Sequence, residues 1–179
     1  KRGYQGLLTG EIVELTSMGV SDILHRGGTI LHSARSKEFK TEEGREKAAK
    51  QLHDLGIEGL VVIGGDGSFR GAQELSSMGF ATVGIPGTID NDIECTDLSV
   101  GFDTALNTVL DAINKIRDTA LSHDRVYVVE VMGKNSGFIA LYAGLAGGAD
   151  AVLVPEIQPD LDKVVHQIQK VKAIGRRHS

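Results

Sequence analysis

The stretch Leu60-Val61-Val62-Ile63-Gly64-Gly65-Asp66-Gly67-Ser68 decides the fold. Four apolar, mostly β-branched residues read as a buried strand, and the glycines after them read as a turn that releases the chain into a new element. Ser68 can start a helix running to about Met78, and Thr82-Val83-Gly84-Ile85 supplies the next strand. Strand, turn, helix, strand is one βαβ unit, which implies a parallel pair. Upstream, Thr41 can cap a helix that carries Glu42 and Glu43 in its first turn, where carboxylates suit the positive end of the helix dipole. Gly56 closes that helix after Leu52 and Leu55.

Downstream the pattern repeats. Residues from Gly101 to about Ser122 place Leu106, Val109, Leu110, Ile113 and Ile116 on one helical face. Val126 to Met132 reads as a third strand ending in Gly133-Lys134-Asn135-Ser136-Gly137, with a helix through Ile139, Leu141 and Leu145 after it. Ala151-Val152-Leu153-Val154-Pro155 reads as a fourth strand. Leu161, Val164, Val165, Ile168 and Val171 mark a last helix that stops near Gly175. The expected class is therefore α/β, an open parallel sheet sandwiched by the helices of successive βαβ units. The first 40 residues show no sustained period, because Gly3, Gly6, Gly10, Gly19, Gly27 and Gly28 interrupt their short apolar pieces.

The 179 residues are 41% apolar and 24% charged, which suits one globular domain with room for a small flanking piece. Nineteen Lys and Arg against 24 Asp and Glu leave a net charge of -5 spread without blocks, so no nucleic-acid surface is expected. With no Trp and 4% aromatic residues there is also little on which bases could stack. No apolar run approaches the roughly 20 residues that span a bilayer, so no membrane partner is expected. Cys95 stands alone and the six histidines form no metal-binding spacing, which points to a reducing, cytoplasmic setting without structural zinc. The chain begins without Met and ends at Arg176-Arg177-His178-Ser179 with no strand closing the last helix, which suggests a segment of a longer protein.

The chemistry sits in the loops that leave the strand ends, the edge of an open parallel sheet where ligands bind. Gly64 to Ser68 lets backbone approach an anion, and the following helix start offers free N–H groups. Asp66 would repel a phosphate unless a divalent cation lies between them, so a magnesium nucleotide is the natural ligand; a simple tight turn is the plain alternative. The second acidic loop, Thr88-Ile89-Asp90-Asn91-Asp92, adds what phosphoryl transfer requires, a proton acceptor and polar support for the moving group. In an extended stretch Asp90 and Asp92 would point the same way, one taking a proton while the other orients water or metal. The plain alternative is an Asx turn whose side chains cap their own backbone.

Taken together, Gly64-Gly65-Asp66-Gly67-Ser68, Pro86-Gly87-Thr88-Ile89-Asp90-Asn91-Asp92, Gly101-Phe102-Asp103-Thr104-Ala105, Ser122-His123-Asp124-Arg125 and Glu130-Val131-Met132-Gly133 resemble, in order and spacing, the bacterial-type ATP-dependent 6-phosphofructokinases. Arg26-Gly27-Gly28-Thr29 and Ser33-Ala34-Arg35 extend the resemblance over essentially the whole chain. It implies a phosphofructokinase-like fold and transfer of the γ-phosphoryl group of MgATP to the 1-hydroxyl of fructose 6-phosphate, giving fructose 1,6-bisphosphate and ADP in glycolysis. Residues 1–179 would then be part of such an enzyme, mostly its ATP-binding domain. The first strand with its Gly-rich loop and the C-terminal half would be missing, and the segment alone is expected to be inactive.

By the same resemblance Asp90 is the base that deprotonates the sugar hydroxyl, Thr88 supports the phosphoryl group, Asp66 binds Mg2+, and Asp92 assists. Tyr4, Arg35, Ser36, Gly65, Asp66, Gly67 and Ser68 match ATP-binding positions. Thr88, Ile89, Asp90, Met132, Gly133 and Lys134 match sugar-phosphate positions, and Arg125 matches a cation supplied across the interface of a homotetramer. Lys134 stands where many relatives have Arg, which keeps the charge and loses the two-pronged grip. Arg117, Gly148, Asp150, Arg176 and Arg177 match an allosteric nucleotide or phosphoenolpyruvate site. Gly67 and Gly87 stand where pyrophosphate-using relatives carry Asp and Lys, which favours ATP. A pyrophosphate-dependent enzyme, another kinase with a GGDG loop, and a catalytically silent nucleotide- or effector-binding domain are the competing readings.

Overall fold

The computed structural model describes residues 1–123 and 125–175. The chain divides into two compact units, Lys1–Ile85 and Pro86–Ser179. In the first, α1 (Gly3–Thr9) and a single 3-10 turn (Glu38–Lys40) precede α2 (Glu42–Asp54), β1 (Gly59–Gly64), α3 (Asp66–Ser77) and β2 (Ala81–Pro86). β1 and β2 pair in parallel, as the βαβ reading requires. The Thr41 cap is present, its hydroxyl accepting the N–H of Gly44 at 3.1 Å, and Gly56 takes the left-handed φ of 66° just beyond α2.

Leu8, Phe39, Ala48, Leu52, Leu75 and Phe80 form the core of this unit. Leu52 and Leu75 are almost wholly buried, each worth roughly 1.5–3 kcal/mol in apolar transfer. That core explains a helix the sequence did not announce. α1 contains Gly3 and Gly6 and has no strong intrinsic preference, yet Leu8 is buried and Tyr4 and Leu7 pack against the core. Tertiary burial overrides local propensity here.

The second unit holds α4 (Phe102–His123), α5 (Phe138–Ala146) and α6 (Leu161–Ala173). The expected face of α4 is its inward face, with Phe102 and Ala120 buried and Leu106, Val109, Leu110, Ile113 and Ile116 half-buried between them. Phe102 meets the rings of Phe138 and Tyr142 edge-on, at centroid separations of 6.4 and 6.0 Å. Asp160 caps α6 by accepting the N–H of Lys163 at 3.1 Å.

The strand expectation fails in this unit. Residues 126–132 and 151–155 were read as strands, but among the described residues only β1 and β2 form a ladder. Runs of Val and Leu make a strand only where a neighbour presents N–H and C=O groups in register. Instead both runs, with α4, α5 and α6, line an apolar cavity of about 280 Å³. The helix expected through Ile139, Leu141 and Leu145 is present as α5, with Ile139, Ala143 and Gly144 buried and Leu141 and Leu145 exposed; Val152 packs against it so closely that a methyl on Gly144 would meet it at 2.5 Å.

Candidate active site

The turn after β1 enters α3 two residues earlier than expected, with Gly65 as N-cap, so Asp66 lies in the first turn of the helix. The N–H groups of Asp66 and Gly67 have no backbone acceptor among the described residues, leaving an unspent pair of donors at the positive end of the dipole. Gly64 must be glycine, since a β-carbon there would meet the Ser68 hydroxyl at 2.5 Å; Gly67 faces open space. The Asp66 carboxylate is exposed and pairs with Arg70 one turn along, at 3.0 Å. Tyr4 underpins this loop. Its ring stacks on Phe39 at 4.0 Å, its hydroxyl donates to the Ser68 carbonyl at 2.6 Å, and burial pushes its pKa up to about 12. Ser36 spends its hydroxyl accepting the Phe39 N–H at 3.2 Å, while Arg35 is exposed.

The loop after β2 is not extended, so the same-side alternation of Asp90 and Asp92 does not hold. The chain bends at Ile89 and Asp90, and Asn91 sits at φ 51°, a left-handed conformation that Asn tolerates better than most residues. Its amide group then fastens the loop, accepting the Ser99 N–H at 2.8 Å and donating to the Asp97 carbonyl at 3.2 Å. Ser99, 4% exposed, accepts the Thr88 N–H at 3.0 Å, and Thr88 accepts the Asp90 N–H at 3.2 Å. Side-chain capping of local backbone does occur in this loop, but through Thr88, whose hydroxyl accepts the N–H two residues on; Asn91 holds backbone groups six and eight residues away, and the aspartates cap nothing. Asp90 is half-buried and Asp92 exposed, and neither carboxylate makes a hydrogen bond or ion pair with any described residue. The Thr88 hydroxyl proton is likewise unspent.

The loop of the substrate assignments is a tight turn. Ser136 N–H donates to the Gly133 carbonyl at 2.9 Å, with Gly133 at φ 148° and Lys134 at φ 56°. Met132 and Lys134 are exposed on it. Gly133 is obligatory, because a β-carbon would approach the Ser136 carbonyl oxygen to 2.2 Å. The Ser136 hydroxyl donates to the Asp90 main-chain carbonyl at 2.6 Å, so this turn and the loop that carries Asp90 are tied directly. Among the described residues no three acidic, imidazole or thiol side chains gather as a metal cage. A lone Asp66 still suits magnesium, which is held by one or two carboxylates together with nucleotide phosphates and water.

The Phosphofructokinase family profile matches residues 1–179. The chain belongs to the phosphofructokinase family. It is 62% identical, over all its 179 residues, to the ATP-dependent 6-phosphofructokinase of Clostridium tetani and equally to that of Clostridium botulinum, strain Hall, spanning 56% of the length of each. Among solved structures, Pichia pastoris phosphofructokinase in the T-state aligns over 99% of this chain and 22% of its own, with TM-score 0.91 and 37% identity. A pyrophosphate-dependent phosphofructokinase from Marinobacter aquaeolei covers 99% of this chain and 49% of its own, with TM-score 0.77 and 26% identity. These neighbours carry the phosphofructokinase-like α/β fold over the whole chain.

Within this phosphofructokinase chain, Arg117, Gly148 and Asp150 line the same cavity of the second unit, with the Arg117 guanidinium 3.5 Å from where a Gly148 side chain would begin. Arg176 and Arg177 lie outside the described residues, as does Asp124; Arg125 is exposed. The sequence reading missed Ser99, Ser136 and Glu156, whose carboxylate accepts the Gly137 N–H at 2.7 Å. Serines and a glutamate in loops carry no distinguishing pattern; only the fold brings them to their partners.

Proposed function

We propose that the full-length protein transfers the γ-phosphoryl group of MgATP to the 1-hydroxyl of fructose 6-phosphate, giving fructose 1,6-bisphosphate and ADP. The observation that carries this is the Asp90 carboxylate, half-buried and unpaired in a loop whose neighbouring polar groups are spent on one another. A base must be held in place by its backbone and left free at its oxygens. Asp90 meets both conditions and accepts the proton of the sugar hydroxyl as that oxygen attacks phosphorus. Thr88, with its hydroxyl proton unspent, donates to an oxygen of the transferring group.

The free N–H groups of Asp66 and Gly67 take nucleotide phosphate oxygens at the start of α3. Asp66 would hold Mg2+, which when bound offsets the negative charge of the phosphates. Tyr4 keeps the Gly65–Ser68 loop in shape, and Arg35 and Ser36 complete the ATP side. Ile89, Met132, Gly133 and Lys134 hold the sugar phosphate, together with Arg125 from a neighbouring subunit of a cytoplasmic homotetramer. Arg117, Gly148 and Asp150, with Arg176 and Arg177, form the effector site. The names of the clostridial relatives support ATP as the donor, and so does Gly67, which faces open space where a side chain would intrude on the nucleotide.

Steady-state assays of the full-length protein with fructose 6-phosphate and either MgATP or magnesium pyrophosphate test the donor. ATP is expected to support turnover at least about a hundredfold better in kcat/KM, a preference worth roughly 2.7 kcal/mol. Preference for pyrophosphate would overturn the assignment and side with the Marinobacter-like chemistry.

A further inference from the structure

We infer that Ser136 is a positioning residue for the Asp90 base. The inference rests on the phosphoryl-transfer reading above and adds to it a coupling between two loops. The Ser136 hydroxyl donates to the main-chain carbonyl of Asp90 at 2.6 Å, across 46 residues of sequence. That carbonyl belongs to the peptide joining Asp90 to Asn91, and Asn91 sits at φ 51° on its far side. Holding the carbonyl fixes the plane of this peptide, and with it the direction in which the Asp90 side chain leaves the backbone.

Ser136 is itself held on both sides. Its N–H closes the turn to the Gly133 carbonyl at 2.9 Å, and the next N–H, of Gly137, is bound by the Glu156 carboxylate at 2.7 Å. Gly133 and Gly137 leave no room for side chains: a β-carbon on Gly137 would meet Glu156 at 2.5 Å and Val154 at 2.6 Å. The strut therefore stands on a rigid base. On the other side, Ser99 and Asn91 secure the same loop without touching the Asp90 carbonyl. Removal of the Ser136 hydroxyl leaves that carbonyl half-buried without its partner, while the rest of the loop keeps its fastenings. Since Met132 and Lys134 belong to the Ser136 turn, occupation of this turn by the sugar phosphate and alignment of the base become one event.

The test is a kinetic double-mutant cycle in the full-length protein. Ser136→Ala is expected to lower kcat about tenfold, with the KM for MgATP unchanged and the melting midpoint within about 2 °C of wild type. Ser136→Thr, which retains the hydroxyl, restores at least about half of kcat. In an Asp90→Ser background, where no base remains to align, Ser136→Ala changes kcat less than about twofold. A tenfold loss in both backgrounds, a kcat unchanged by Ser136→Ala, or a rise in sugar-phosphate KM alone would overturn the inference. If Asp90→Ser itself keeps wild-type kcat, the underlying base assignment fails instead, so the two failures are distinguishable.

Discussion

Asn91 and Tyr4 show how single residues set the two acidic loops. Asn91 accepts a left-handed backbone and uses both ends of its amide to hold the turn, so the aspartates beside it need not cap anything. Tyr4 acts within the first unit, half-buried, with its hydroxyl on the Ser68 carbonyl. Burial favours its neutral form and raises its pKa to about 12 from the ordinary 10.0. The folded state therefore holds this proton between about pH 10 and pH 12 while the unfolded chain releases it. Stability contributed by Tyr4 is complete below pH 10, falls as pH rises through this window, and changes no further above it. Denaturant titrations of wild type and Tyr4→Phe are expected to differ in slope against pH there, the variant lacking the Tyr4 contribution to the alkaline loss. Parallel curves would contradict the burial of this phenol.

The elements differ in how firmly local chemistry specifies them. α2 begins where Thr41 both accepts the Gly44 N–H and donates to the Glu38 carbonyl at 2.8 Å, closing the preceding 3-10 turn. Thr41→Ala is expected to cost about 1 kcal/mol and to lower the thermal midpoint of the full-length protein by about 2–4 °C, while Thr41→Ser retains most of it. An unshifted midpoint would mean that the cap does not limit stability. Such signals made α2, β1, α3, β2, α4 and α6 legible, because caps, β-branched runs and 3.6-residue stripes act within the chain itself. Residues 126–132 and 151–155 were misread because strand identity depends on a partner ladder, which composition does not encode. α1 escaped notice for the opposite reason, its glycines hiding a helix that exists through the burial of Leu8. The candidate site divides likewise. Gly64 to Ser68 and Thr88 to Asp92 are contiguous and could be read, whereas Ser99 and Ser136 reach their partners across 11 and 46 residues.

At the scale of the molecule, the chain spans 56% of the length of its clostridial relatives. Val61, Ile63 and Val83 project from β1 and β2 with more than half of their surface exposed, an apolar face that a complete protein would be expected to cover. No helix among the described residues is long and apolar enough to cross a membrane. In the proposed reaction the full-length protein moves a phosphoryl group with Asp90 as base. The most direct test is kcat of the full-length protein carrying Asp90→Ser, at saturating MgATP and fructose 6-phosphate. Loss of the base is expected to lower kcat by about 10²–10⁴-fold with little change in KM for MgATP. A kcat within a few-fold of wild type would show that Asp90 is not the base.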